Sequence, residues 1–247
     1  MKVAIIGYGK MGREIERILV ARGHEVALVI DVDNAGDLNA SKMSGMDVAI
    51  EFTTPDTALG NIRCCLELGV PVVCGTTAWT AHLPEVEELC RQRAGAFFYA
   101  SNYSIGVNVA FELNRRLAAM MNRFPEYDAT VEEVHHVQKK DAPSGTATVL
   151  ADDIVAVLDR KKSWVLGCTA TGEFDPSELE IVSVRRSVAP GTHTVTYESS
   201  VDTITLTHNI KSRVGLAAGA VSAAEFLVAE VAAGRKGIFS MNNLLKL

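Results

Sequence analysis

Lys2-Val3-Ala4-Ile5-Ile6-Gly7-Tyr8-Gly9-Lys10-Met11-Gly12 opens the chain almost at its first residue. An apolar, β-branched run stops at a glycine, and GxGxxG spacing follows. From Lys10 to Arg22 the apolar residues Met11, Ile15, Ile18 and Leu19 fall at helical spacing, and Gly23 stands where a glycine ends a helix. In such a strand-turn-helix the first glycine permits the tight turn and the second lets the backbone approach a pyrophosphate. The third lets helix and strand pack closely, with the helix N-terminus facing the negative charge. The spacing alone also fits a merely tight turn. Here it follows a strand, opens a helix, and is answered about 20 residues on by Asp31, at the end of a second strand over Glu25 to Ile30. The unit predicts a dinucleotide site at Gly7, Tyr8, Gly9, Lys10, Met11 and Gly12. Asp31 is the expected acceptor for the adenosine ribose 2′-hydroxyl and would repel a 2′-phosphate; position 32 is Val, not Arg. The expected cofactors are NADH and/or NADPH, with NADH preferred; Lys10 and Arg13 are the residues able to support NADPH.

Outward from this unit, strands at Asp47 to Phe52, Val70 to Cys74 and Ala96 to Tyr99 alternate with helices at Pro55 to Leu68 and Thr80 to Arg93. That alternation predicts α/β architecture, a Rossmann-type doubly wound parallel sheet. Ligands of such sheets lie beyond the carboxyl ends of the strands. Gly75-Thr76-Thr77 and Ala100-Ser101-Asn102-Tyr103 follow two of those ends. Each alone reads as an ordinary turn; with the glycine turn they outline one cofactor cleft.

After about residue 100 the pattern changes. Helices are expected at Ile105 to Met121 and Thr146 to Leu158, with a strand between them at Thr130 to Val137. Three strands then follow without helices: Leu179 to Val188, His193 to Ser199 and Thr203 to Ile210. This predicts a second α+β domain containing a mixed sheet. The alanine-rich helix Leu216 to Ala233 is expected to pack back on the first domain. The expected division is 1-102 plus 213-247 for dinucleotide binding and 103-212 for substrate and oligomerisation. Ser104 to Asn108, which contains Gly106, is the expected hinge for domain closure.

Composition narrows the function classes. Hydrophobic residues are 48% and charged residues 22%, a globular balance. The net charge of −6 argues against a nucleic-acid partner and requires a local basic cluster if the substrate is an anion. No apolar run approaches the ~20 residues needed to span a bilayer, and Met1 to Ile6 is too short and too soon broken by glycine for a secretory signal, so no membrane is expected and the expected location is cytoplasmic. The five cysteines, Cys64, Cys65, Cys74, Cys90 and Cys168, are odd in number and form no CxxC pair, so neither a disulfide framework nor a metal site is expected.

The densest chemistry is His135-His136-Val137-Gln138-Lys139-Lys140-Asp141-Ala142-Pro143-Ser144-Gly145-Thr146. Adjacent histidines on a strand point to opposite faces and should have different tasks. Asp141 and Ser144 are helix N-cap types, and Pro143 suits a first turn. The Gly145 and Thr146 amides would then face outward at a helix N-terminus, a site for a carboxylate. Taken singly, a histidine pair is often a satisfied polar edge and a lysine pair a solvated turn. Together they set proton donors beside an anion-binding turn. Arg185, Arg186, His193, His208, Lys211 and Arg213 are further candidates for the basic cluster. Another Rossmann dehydrogenase of amino or hydroxy acids explains the first domain equally well but not residues 135–146. A nicotinamide-sensing regulator would need a partner module that is not visible.

These residues resemble the dihydrodipicolinate reductase family over essentially the whole chain. The most specific match is His135 to Thr146, against the family's HHxxKxDAPSGT. Gly7 to Gly12, Glu51-Phe52-Thr53, Gly75 to Thr77 and Ser101 to Asn108 also match, as do Arg185 to His193 and Asp202 to Ala220. The resemblance implies a Rossmann domain completed by the C-terminal helix, and a mixed-sheet domain that binds substrate and builds a homotetramer. It implies NAD(P)H-dependent reduction of 4-hydroxy-tetrahydrodipicolinate, a cyclic dicarboxylate, to tetrahydrodipicolinate on the route to diaminopimelate and lysine. By position His135 matches the family's proton donor and Lys139 its second catalytic residue. His136, Gly145 and Thr146 match substrate contacts, with Arg213 as a further candidate. Ser187 stands where the family often has glycine, Leu216 where phenylalanine is common, and the glycine turn is the shorter of the family's variants.

Overall fold

The structure, a computed structural model, describes residues 1–167, 175–186, 188, 190–212 and 214–247. Cys168, Ser187 and Arg213 therefore lie outside the described residues. The chain divides into two compact units, Met1–Ile105 with Val214–Leu247, and Gly106–Arg213.

In chain order the first unit begins with β1 (Lys2–Ile6), α1 (Lys10–Ala21), β2 (Glu25–Ile30), α2 (Ala40–Met43), β3 (Val48–Glu51), α3 (Pro55–Glu67), β4 (Val72–Cys74), α4 (Leu83–Arg93) and β5 (Ala96–Tyr99). The second contains α5 (Ile105–Met121), β6 (Asp128–His135), α6 (Gly145–Val155), β7 (Ser163–Leu166), β8 (Glu178–Arg185), β9 (Thr192–Glu198) and β10 (Thr203–Asn209). The chain then returns to the first with α7 (Val214–Ala232), β11 (Gly237–Phe239) and α8 (Met241–Leu245).

The first sheet runs β11-β5-β4-β3-β1-β2 and is parallel throughout. Its inner strands β1, β3, β4 and β5 are buried on both faces, hence their near-continuous apolar runs. In β1, Val3 and Ile5 join the core shared with Ile15, Leu19, Ala220 and Leu227, while Ala4 and Ile6 join the one shared with Ile62, Leu66 and Val86. The period-two alternation of a strand thus feeds two layers, α1 and α7 on one side and α3 and α4 on the other. β11 is three residues long, too short to show a period, and is defined by its pairing with β5.

α7 packs on α1 and on β3, β4 and β5, as its alanine-rich face predicts. At 19 residues and mean hydropathy 1.6 it is long and apolar enough to cross a bilayer by length and composition alone. Its Ala217, Ala220, Val221, Ala223, Ala224 and Leu227 are buried in the sheet's core, which accounts for that composition. A Cβ at Gly219 would overlap the backbone oxygen of Tyr103, so glycine there allows α7 to sit against the turn after β5.

The second sheet runs β10-β9-β6-β8-β7. β6–β8 and β8–β7 pair parallel, β6–β9 and β9–β10 antiparallel, giving the expected mixed sheet. Leu150 and Ile154 of α6 pack with Val131, Ile181, Val195 and Tyr197 from the sheet. β7 has no counterpart in the sequence reading: four residues, two of them half-buried, give little periodic signal. β6 ends at His135, two residues before the expected Val137.

Candidate active site

The first unit carries a cleft at the carboxyl ends of β1, β3 and β4. Gly7, at φ +93°, would drive a Cβ into the backbone oxygen of Phe52, and a Cβ at Gly12 would overlap the oxygen of Gly7. Those two glycines serve the turn and the helix-strand packing. Gly9 is different. Nothing lies within 4 Å of where its Cβ would be, and its φ of −76° suits any residue. What its missing side chain leaves open is the space outside the turn, where a pyrophosphate would approach. Gly9 also caps α1 without a side-chain bond, so the first amides of α1 are left for an outside acceptor.

A pocket of about 310 Å³ is lined by Gly7, Tyr8, Gly9, Asp31, Val32 and Thr53 among others. A second, of about 430 Å³, is lined by Lys10, Met11, Gly75, Thr76 and Thr77. They share Gly9, Phe52 and Thr53, and so form one elongated cleft suited to a dinucleotide. Asp31 is exposed at its far end, its amide donating to Asn34 Oδ1 at 2.8 Å.

The residues after β5 stand apart from these two pockets. Ala100 is half-buried and Ser101 exposed. Asn102 Oδ1 accepts from the Ser104 amide at 2.9 Å. Tyr103 is buried, and its hydroxyl donates to the Cys74 carbonyl at 2.6 Å. Tyr103 thereby braces the floor from below. Glu51 was matched only as part of a motif. It is fully buried and accepts bonds from the Thr53 amide and hydroxyl and from Cys74 Sγ. The Thr53 amide also donates to Thr76 Oγ1 at 2.8 Å, so one buried carboxylate helps set both threonines that line the cleft.

The second unit carries the histidines. β6 presents Glu133 and His135, two residues apart, to the same face. Glu133 is fully buried. Its Oε1 accepts from the Ser144 amide at 3.1 Å, Ser183 Oγ at 2.7 Å and the Arg185 guanidinium at 3.0 Å. His135 Nδ1 lies 2.9 Å from Glu133 Oε2; the approach is close but poorly aligned, so it counts as charge proximity rather than a strong hydrogen bond. A Cβ at Gly191 would stand 2.9 Å from His135 Nε2, so glycine there leaves that nitrogen open. His193, from β9, meets His135 edge to face at 5.1 Å between ring centroids, and its Nε2 lies 3.2 Å from Ser144 Oγ. Ligand atoms of Glu133, His135 and His193 fall within 4.8 Å of one another, a metal-like spacing. The Glu133 carboxylate, however, already holds an arginine and two other donors, which suits a proton-handling cluster.

α6 begins immediately beyond. Ser144 is its N-cap, Oγ accepting from the Ala147 amide at 3.3 Å. The Thr148 amide bonds the Ser144 carbonyl, so the Gly145 and Thr146 amides precede the first helical bond. Nothing lies within 4 Å of a Cβ built on Gly145. The Gly145 and Thr146 amides thus open α6, with space beside Gly145. Two local readings change. Asp141 does not cap α6; its carboxylate holds Lys139 Nζ at 2.7 and 2.9 Å. Pro143 precedes the cap instead of lying in the first turn. His136 falls just past the strand end, half-buried, with no hydrogen-bond partner for its buried Nδ1 among the described residues.

Charge is arranged around this cluster. Burial alone would push the Glu133 carboxyl up, yet the bonds from Ser144, Ser183 and Arg185 hold it below the usual range. Burial pushes His135 below the ordinary imidazole value, with Glu133 opposing and Lys139 and Arg185 assisting the shift. Burial pushes His193 down to about 4. A histidine held neutral in the fold but free to protonate when unfolded stabilises above its unfolded pKa, near 6.5, and loses that stability as pH falls toward its folded pKa. His193 is thus expected to cost on the order of 3 kcal/mol between pH 6.5 and 4. Replacing it with glutamine should shrink the drop in Tm over that window, and an identical drop in both proteins would contradict this.

Comparison with known proteins follows the same division. The family model described as dihydrodipicolinate reductase, N-terminus, matches residues 1–103, and that described as dihydrodipicolinate reductase, C-terminus, matches residues 106–245. The chain belongs to the dihydrodipicolinate reductase family. Among relatives in this family, the 4-hydroxy-tetrahydrodipicolinate reductase of Christiangramia forsetii is 45% identical over 246 residues, covering 99% of this chain and 98% of its own. That of Chromobacterium violaceum is 33% identical, with 99% and 98% covered. A dipicolinate-bound dihydrodipicolinate reductase from Paenisporosarcina sp. TG-14 superposes with a TM-score of 0.77 at 26% identity, 97% of each chain covered. The resemblance of residues 135–146 to the family motif is thus matched along the full length of the chain.

Proposed function

We propose that His135 is the proton donor and Lys139 the second catalytic group in the family's reaction, with NADH the preferred reductant. The chain is an oxidoreductase that reduces 4-hydroxy-tetrahydrodipicolinate to tetrahydrodipicolinate, a step of diaminopimelate and lysine biosynthesis. The observation that carries the residue assignment is the His135 ring, its Nδ1 beside a buried carboxylate and its Nε2 open, in the same unit as the Gly145 and Thr146 amides that open α6.

The nicotinamide, when bound, supplies the hydride. Gly9 and the first turn of α1 would hold its pyrophosphate, and Asp31 its adenosine ribose. Loss of water from the substrate leaves a conjugated imine; hydride adds at the carbon that carried the hydroxyl, and a proton completes the reduction. Gly145 and Thr146 hold one carboxylate through their amides and the threonine hydroxyl, and His136 contacts the dianion. His135 is kept neutral in the free protein by burial. A dianion beside it favours the imidazolium, so the donor gains its proton when substrate arrives. Lys139 is released from Asp141 to face the new negative charge.

Asp31 is exposed at the cleft, with Asp33 two residues on. A 2′-phosphate at the cleft would meet the Asp31 carboxylate, although Arg13 and Lys10 lie on the adjacent helix. kcat/KM is expected to be higher for NADH than for NADPH, and Asp31→Asn should narrow the gap. A clear NADPH preference in the unaltered protein would contradict the reading.

A further inference from the structure

Glu133 does not face solvent, but its bonds reach α6 and β8 and, through Arg185, the loop that carries Lys139. It sits on β6 two residues before the histidine. Its carboxylate takes bonds from the Ser144 cap of α6 and from Ser183 and Arg185 of β8. The same Arg185 guanidinium donates to the Asp141 carbonyl at 2.5 Å, in the loop that carries Lys139. A buried carboxylate is costly unless it is bonded; the three bonds here all fall on Oε1, leaving Oε2 beside His135, and they draw the donor strand, the anion-binding helix start and the lysine loop together.

We infer that Glu133 is the positioning residue of the site, orienting His135 through Nδ1 and balancing the charge of its imidazolium while tying the α6 cap and the Lys139 loop to the same point. The inference rests on the assignment of His135 as proton donor. With Glu133 beside Nδ1, the donated proton leaves from Nε2, the nitrogen that Gly191 keeps open. The charged groups facing His135 are Glu133 on its own strand, Lys139 and Asp141 on the loop and Arg185 on β8, and the titratable His193 faces it from β9. Glu133 and Asp141 favour the imidazolium; Lys139, Arg185 and the burial oppose it. Glu133 is the nearer of the two favourable charges and the buried one, so its loss leaves the imidazolium little support.

Glu133→Gln keeps the size and most acceptors but removes the charge. It is expected to lower kcat on the order of 10- to 100-fold, part of what is at stake in proton transfer, with KM changed less. An acid catalyst loses activity as pH rises through its pKa in the substrate complex, so the alkaline limb of the kcat profile should move to lower pH by about one unit or more. Ser183→Ala removes one bond to Glu133 without changing charge, and should leave that limb in place. In a His135→Asn background, Glu133→Gln should cost little further kcat, because its effect acts through the ring. Melting temperature and NADH binding check that each variant is folded. A kcat loss with an unmoved limb, or losses that multiply in the double variant, would overturn the inference and leave His135 as donor. A His135→Asn variant that keeps its kcat would instead overturn the donor assignment itself.

Discussion

His135→Ala is expected to lower kcat by roughly 10²–10⁴-fold while KM stays within a few-fold. The magnitude follows from what the ring does. It is 6% exposed, so its surroundings, not bulk water, decide its protonation. One nitrogen faces Glu133 and the other is open. Removing the ring takes away the proton but leaves the amides of Gly145 and Thr146, so substrate should still bind. Steady-state kinetics on a variant with unchanged Tm is the check. A kcat within a few-fold of the unaltered protein would reassign His135 to packing against His193.

Lys139→Ala is the second large effect, a kcat loss of roughly 10²–10³-fold. In the ligand-free protein its ammonium is held by Asp141, an exposed carboxylate worth little to stability. The pair keeps the lysine parked on a short turn, whose Lys139 amide bonds the His136 carbonyl at 3.1 Å. In the proposed role, alanine removes the cation that would steady negative charge during reduction. Lys139→Arg restores a charge but cannot readily give up a proton, so it should recover KM better than kcat. A rise in KM alone for the alanine variant would make Lys139 a binding residue.

Much of this was legible in the residues. The strand-turn-helix at Lys2 to Ala21 announces itself because three glycines, a helical apolar stripe and Asp31 all demand the same geometry. The doubly wound sheet follows from strands buried on both faces, whose apolar runs need no long-range information. β7 and β11 were illegible because a strand of three or four residues exists only through its neighbour. Glu133 was illegible for another reason. A glutamate in Thr130-Val131-Glu132-Glu133-Val134 reads as a solvated face, and adjacent Glu132 is indeed exposed. The register that brings Ser183 and Arg185 alongside supplies the partners of the inward glutamate. The alternation itself was the available signal: Glu133 shares parity with Val131 and His135, the buried side of β6. Tyr103 shows the converse. Its place at a strand end suggests the cofactor, while its burial against Phe52 and Phe98 comes from contacts that no local pattern displays.

The most direct test of the account is turnover of the cyclic dicarboxylate itself. Aspartate semialdehyde and pyruvate, condensed by the preceding synthase, supply the substrate in place, and loss of reduced-nicotinamide absorbance reports the reduction. The account predicts oxidation that requires both precursors and the synthase, is faster with NADH than with NADPH, and collapses in His135→Ala. Absence of oxidation with either cofactor would contradict it.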